Sequence, residues 1–210
     1  MKTSENKLQS RDFISIGVFT LIYAAVTFVV GGVSQMTPVT FPLMPAAVAL
    51  FTGPIFMLYT AKTPKRGALI NYSVVVLVFI VIMGVIIGIL SFASGMFWMM
   101  AVFYAVFGVL ADLICASGKF KSFKRNLLGY CVFALPPMGG HVPMAILPEQ
   151  FDAFMAEKGD FSAFSGVIDA IGANWWALPL MAAITVLCAV ISGMIGRKLL
   201  RKHFERAGIV

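Results

Sequence analysis

Runs of about 20 apolar residues recur along this chain, the length a helix needs to cross the hydrocarbon layer of a membrane. The first, from Phe13 to Val33, contains no charged side chain. In lipid no water is available to the backbone, so every amide and carbonyl must pair internally, and only helices or closed barrels can span. A barrel would show segments of about ten residues with alternating polarity, and the unbroken runs here do not alternate. The composition agrees: 60% of residues are hydrophobic and 12% charged, against roughly 25% charged in a soluble domain. The chain reads as an all-α integral membrane protein.

Six spans are predicted at 12–33, 40–60, 67–91, 95–117, 126–147 and 173–196, making one six-helix membrane domain of residues 1–210. Gly31-Gly32 and Pro38 separate the first two spans, Pro64 and Gly67 the next pair, and Ser94-Gly95 the third and fourth. The run Phe13 to Val33 exceeds the ~7–15 residues of a signal-peptide core, so it reads as a retained first span.

Positive charge orients the bundle, because Lys and Arg accumulate in cytoplasmic loops. Lys2, Lys7 and Arg11 precede span one; Lys62, Lys65 and Arg66 follow span two. Lys119, Lys121, Lys124 and Arg125 follow span four, and Arg197, Lys198, Arg201, Lys202 and Arg206 follow span six. Only Lys158, of 16 Lys and Arg, falls on the other side. The expectation is both termini in the cytoplasm, with a basic tail over 197–210. The net charge of +7 thus reflects topology, and nucleic acid is not an expected partner.

The connection 148–172 is the one long external segment. Phe151, Phe154, Met155, Phe161, Phe164, Val167, Ile168 and Ile171 recur at three- and four-residue steps, with Glu149, Asp152, Glu157 and Asp160 between them. That is the pattern of amphipathic helices, expected on the outer surface as a candidate lid.

In span one, Gly17, Thr20, Ala24, Thr27 and Gly31 share one helical face. Small residues allow close approach of helices in lipid. The face serves either packing within the chain or docking of another membrane protein.

The outer third collects polar and aromatic residues: Gln35 in the first external loop, Trp98 and Tyr104 in span four, His141 near the end of span five, and Asn174, Trp175 and Trp176 opening span six. At a rise of about 1.5 Å per residue, His141 lies roughly 22 Å along a helix starting at Asn126, and Trp98 and Tyr104 lie about 5 and 14 Å in from Gly95. Aromatics with a few convergent polar groups describe a small-molecule pocket, and a polar side chain at depth is a functional candidate. The tryptophans also suit an interfacial aromatic belt, and His141 a helix-packing hydrogen bond.

Asp112, toward the inner end of span four, is expected to pair with Lys119 or a basic residue of a neighbouring helix. Cys115, Cys131 and Cys188 lie in apolar runs without metal-ligand spacing and read as small buried hydrophobes. Neither a metal nor a cofactor is expected. His141 and His203 fall on opposite sides, and the spans hold no paired carboxylates or hydrolase constellation, so enzymatic function is not expected. A small membrane enzyme or stand-alone facilitator built on His141 is the alternative reading.

Four segments carry a family resemblance: Arg11-Asp12-Phe13-Ile14-Ser15-Ile16-Gly17-Val18-Phe19-Thr20, Gly53-Pro54-Ile55-Phe56-Met57-Leu58, Gly118-Lys119-Phe120-Lys121-Ser122, and the tail from Gly196-Arg197-Lys198 to Gly208-Ile209-Val210. Together they resemble the substrate-binding S components of energy-coupling factor (ECF) transporters, more narrowly the MptD-type (Trep_Strep) group, over essentially the whole chain. The resemblance implies an ECF S-component-like bundle in a prokaryotic plasma membrane. It implies capture of a vitamin or similar micronutrient from outside, docking on a membrane-embedded T subunit, and drive by two cytoplasmic ATPases. It also implies docking through small residues of the first span, here Gly17, Thr20 and Ala24 in place of the strict Ala-xxx-Ala pattern. Substrate would be held by spans four to six and the external loops.

Overall fold

The computed structural model describes residues 8–34, 36–87, 97–157 and 162–205. Gln35, Lys158 and the expected turn at Ser94-Gly95 lie outside them. Among the described residues the chain is helical, without strands. The helices are α1 (Ser10–Ser34), α2 (Met44–Lys62), α3 (Ala68–Ile87), α4 (Phe97–Ser117), α5 (Phe123–Phe133), α6 (Val142–Ile146), α7 (Pro148–Glu157), α8 (Ser162–Ala173) and α9 (Ala177–Leu199). Short 3₁₀ turns at Phe41–Leu43 and Pro136–Gly140 lead into α2 and α6.

Four helical stretches among the described residues are long and apolar enough to cross a membrane: Ser10–Ser34, Phe41–Lys62, Met99–Ser117 and Ala177–Lys202. The fifth expected span, 126–147, is not one helix. Two consecutive prolines, Pro136 and Pro137, remove two backbone donors, and α5 ends at Phe133. The chain then continues through the 3₁₀ turn and the five-residue α6. A proline interior to a helix removes a hydrogen bond and collides with the preceding turn, so a pair ends it.

One end of the bundle gathers the basic segments. Lys65, between α2 and α3, forms an ion pair with Asp12 of α1 at 2.6 Å. Asp112 of α4 accepts the backbone N–H of Gly67 at 3.0 Å and of Leu69 at 3.2 Å. Its carboxylate thereby satisfies orphan donors at the start of α3 and favours the positive end of that helix dipole. Backbone amides are thus its hydrogen-bond partners in place of Lys119, and Arg66 is the basic residue that acts on its charge. Between α4 and α5, Lys119 and Phe120 adopt left-handed φ of 52° and 57°. That conformation is unfavourable for residues with a Cβ; the buried Phe120 ring and an N–H···O bond from Asn126 Nδ2 to the Phe120 carbonyl at 2.8 Å hold it. Arg197, at the end of α9, lies 4.2 Å from the centre of the Phe123 ring. The start of α1, both basic loops and the end of α9 therefore meet.

All five tyrosines of the sequence are buried: Tyr23, Tyr59, Tyr72, Tyr104 and Tyr130, one each from α1 to α5. Tyr59 stacks on Tyr72 with centroids 4.7 Å apart, and Tyr23 meets Tyr72 edge-on at 5.6 Å. Buried phenols need partners: Tyr59 donates to the Ala68 carbonyl at 2.7 Å, and Tyr130 to that of Ala49.

A close crossing of α2 and α9 lies beside Pro54, inside α2. Pro54 has no N–H to give the Leu50 carbonyl, and the Ser192 hydroxyl of α9 donates to that oxygen at 2.6 Å. The Gly53 N–H in turn donates to Ser192 Oγ at 3.1 Å. One proline break is thus closed by a hydroxyl from another helix, which an apolar surrounding requires. A Cβ on Gly53 would lie 2.7 Å from the Ser192 backbone carbon, and one on Gly196 3.0 Å from Pro54 Cα. Only glycine permits this approach.

The small-residue face of α1 points inward. Thr20 is 1% and Ala24 3% exposed, and Gly31 is buried. Of the expected docking residues only Gly17 has open space around it. Small side chains let α1 lie close to its own neighbours, so Thr20 and Ala24 serve internal packing rather than an outer docking face.

Candidate ligand-binding site

At the end opposite the basic loops, the helix break delivers His141 into a second apolar cluster. Gly139 makes this possible: a Cβ there would lie 2.7 Å from Met100 Cα, so the turn rests directly on the α4 backbone. Gly172 of α8 likewise approaches α6, where an added Cβ would lie 3.1 Å from the Met144 carbonyl oxygen.

His141 is 2% exposed. Its ring lies 5.3 Å from that of Phe41, which meets Phe164 edge-on at 5.4 Å. Buried Met138, Met144 and Met181, with Phe151 of α7 and Ile168 and Ile171 of α8, complete the cluster. The segment expected to be amphipathic does form two helices, α7 and α8, and their apolar faces cover this site. Phe154 and Met155 have side chains outside the described structure, and Phe161 lies outside it altogether.

Imidazole Nε2 sits 3.1 Å from the Phe41 carbonyl oxygen. A carbonyl only accepts, so in the neutral ring Nε2 carries the proton and Nδ1 presents a lone pair. Nδ1 is buried with no hydrogen-bond partner. The Pro137 carbonyl faces the same ring; being an acceptor, it offers Nδ1 no proton. Buried polar atoms are nearly always paired, so an orphan acceptor in an apolar cluster marks a place for a donor. Methionines around it suit a ligand of varied outline, being flexible and polarizable.

The other expected site residues are placed elsewhere. Tyr104 belongs to the central tyrosine cluster, not to the surroundings of His141. Trp175 is 85% and Trp176 51% exposed, at the start of α9, as in an aromatic belt. Asn174 is half-buried, and its Nδ2 donates to the Ala170 carbonyl at 2.6 Å, closing the end of α8. The Trp98 side chain and Gln35 lie outside the described structure. Sequence reasoning missed Phe41, Met138, Met144 and Met181. Phe41 sits in a Pro-containing segment just before α2, and nothing in its spacing relates it to His141, a hundred residues on.

These features define a multi-pass α-helical membrane bundle with a polar atom buried beneath two surface helices. A family model matches residues 10–206, that of a hypothetical bacterial integral membrane protein, Trep_Strep. The chain belongs to this family, and it is a bacterial multi-pass membrane protein. No curated protein and no solved structure matches it.

Proposed function

We propose that this chain is the substrate-capture S component of an ECF-type importer. In this reading α1, α2, α3, α4, the broken α5–α6 and α9 make six spans, with both termini and the basic end in the cytoplasm. The observation that carries it is the buried, unpartnered Nδ1 of His141 beneath α7 and α8, far from the basic end. The substrate is a small, largely apolar or planar molecule, of the vitamin or micronutrient class, carrying an N–H or O–H to give to Nδ1. The chain binds without catalysing a reaction and needs no cofactor. A T subunit and two cytoplasmic ATPases complete the transporter.

Native mass spectrometry of the purified protein against a metabolite extract, with affinity co-purification from the source membrane, tests both halves. A retained small molecule together with ATPase subunits is the expected result. Recovery without ATPases in every detergent tried would remove the importer assignment.

Orientation has its own test. In a background lacking Cys115, Cys131 and Cys188, Trp175→Cys should react with an impermeant maleimide on intact cells. Lys202→Cys should react only after permeabilisation. Both side chains are exposed, so the reverse pattern would invert the topology.

Docking can also be separated from folding. Gly17 and Gly32 of α1 have nothing within 4 Å of an added Cβ, and fifteen residues of helix bring them onto a similar face. Gly17→Leu/Gly32→Leu should therefore leave the monomer folded and the substrate bound, while losing the T subunit on purification. Wild-type recovery of the partner would place docking on another face.

A further inference from the structure

The basic end of the bundle contains a cleft that the capture of an external substrate does not use. It opens between α2, the start of α5 and the end of α9, with a volume of about 470 Å³. Lys121, Arg197 and Arg201 line it, and no acidic side chain does so among the described residues. Arg197 and Arg201 are four residues apart, so they share a helical side where like charges repel unless an anion lies between them. The Phe123 ring, 4.2 Å beneath the Arg197 guanidinium, holds that charge at the cleft in a cation–π contact. Apart from the Asn126 amide, the remaining walls are apolar, including Met57, Phe120 and Leu200.

The surroundings identify the anion's source. Leu200 is also a wall of a second groove of about 240 Å³, between α1, α2 and α9, lined by Ile22, Leu58 and Leu199 among other apolar residues. Cations beside an apolar groove, at the end of membrane-spanning helices, match a molecule with a phosphate at one end and acyl chains at the other. Basic pockets between helix ends are known hosts for anionic lipid headgroups. We propose that this cleft binds the phosphate of an anionic phospholipid, with Arg197 and Arg201 as its principal ligands, Lys121 as a third cation, and the acyl chains along the neighbouring groove.

The full-length protein in neutral detergent, doped with equimolar dioleoyl phosphatidylglycerol and dioleoyl phosphatidylcholine, can be read by native mass spectrometry. Preferential retention of phosphatidylglycerol is expected. Arg197→Gln/Arg201→Gln should lower that retention roughly 25-fold, about fivefold for each basic residue removed near a membrane surface. Lys198→Gln/Lys202→Gln removes the same charge from exposed positions outside the cleft and should change it less than about twofold. Arg197→Lys, which keeps the charge but loses the planar fork, guards against a folding artefact and should show an intermediate loss. Equal loss in the two double variants would mean that the general field, not the cleft, holds the lipid. No preference for phosphatidylglycerol would overturn the proposal. Inorganic phosphate that displaces the lipid at matched concentration would make this a free-phosphate site and also overturn it.

Discussion

Gly53→Val is expected to destabilise the bundle more than any other single change at a helix crossing described above. The Cβ alone would come within 2.7 Å of the Ser192 backbone and 2.8 Å of its Cβ, and backbone cannot rotate away as a side-chain tip does. Overpacking of this kind typically costs ~1–3 kcal/mol. Separating α2 from α9 also breaks the bonds that Ser192 makes to Gly53 N–H and the Leu50 carbonyl, each contributing about 1 kcal/mol, with a further penalty when a buried group is left unpaired. A loss of roughly 2–5 kcal/mol follows from the two effects. Thermal unfolding in detergent measures it, with Gly32→Ala as the control because that position faces open space. Similar midpoints for the two variants would show that the crossing tolerates separation.

His141→Ala is expected to weaken ligand binding by roughly 5- to 150-fold, the equivalent of ~1–3 kcal/mol for a buried hydrogen bond left without its partner. The two ring nitrogens give different readouts. Loss of Nε2 frees the Phe41 carbonyl and lowers the melting point of the unliganded protein. Loss of Nδ1 removes the acceptor for the ligand and lowers its affinity. Calorimetry on the folded variant, with the molecule recovered in the metabolite screen, separates these effects. Trp175→Ala should bind like the wild type, since that ring is exposed. An unchanged affinity in His141→Ala would move the site away from this cluster.

The membrane class, the helical runs and the grouping of basic segments were legible because each is local: a run of apolar residues or a cluster of charges needs no knowledge of neighbours. The direction a helix faces was not. The spacing of Gly17, Thr20 and Ala24 places them on one side of α1, but close approach to an internal helix and to a foreign one demand the same residues. Burial of Thr20 and Ala24 decides for the interior. Pro136-Pro137 and Gly139-Gly140 interrupt the fifth span, but the extent of the break depended on whether α4 left room for a turn, and Gly139 against Met100 shows that it did. His141 stood out as a polar residue at depth. Its partner did not, because Phe41 contributes a carbonyl, which every residue possesses. Asp112 followed the same rule in reverse: its hydrogen-bond partners are the N–H groups of Gly67 and Leu69, with the Arg66 charge nearby, and not Lys119. Aromatic rings were the least directional signal, since Tyr104 turned to the centre while Trp175 and Trp176 turned outward.

The burial of every tyrosine also divides the protein's optical signals by depth. With no phenol at the surface, near-ultraviolet dichroism in the tyrosine band reports on the order of the interior, from α1 to α5 at once. Trp175 and Trp176, outside that interior, emit according to the polarity of the lipid or water around them. In a Trp98→Phe variant, where these two are the remaining indoles, a change confined to their emission therefore reports an event at the start of α9 that leaves the centre of the bundle undisturbed, while loss of the tyrosine dichroism reports the loss of the fold itself.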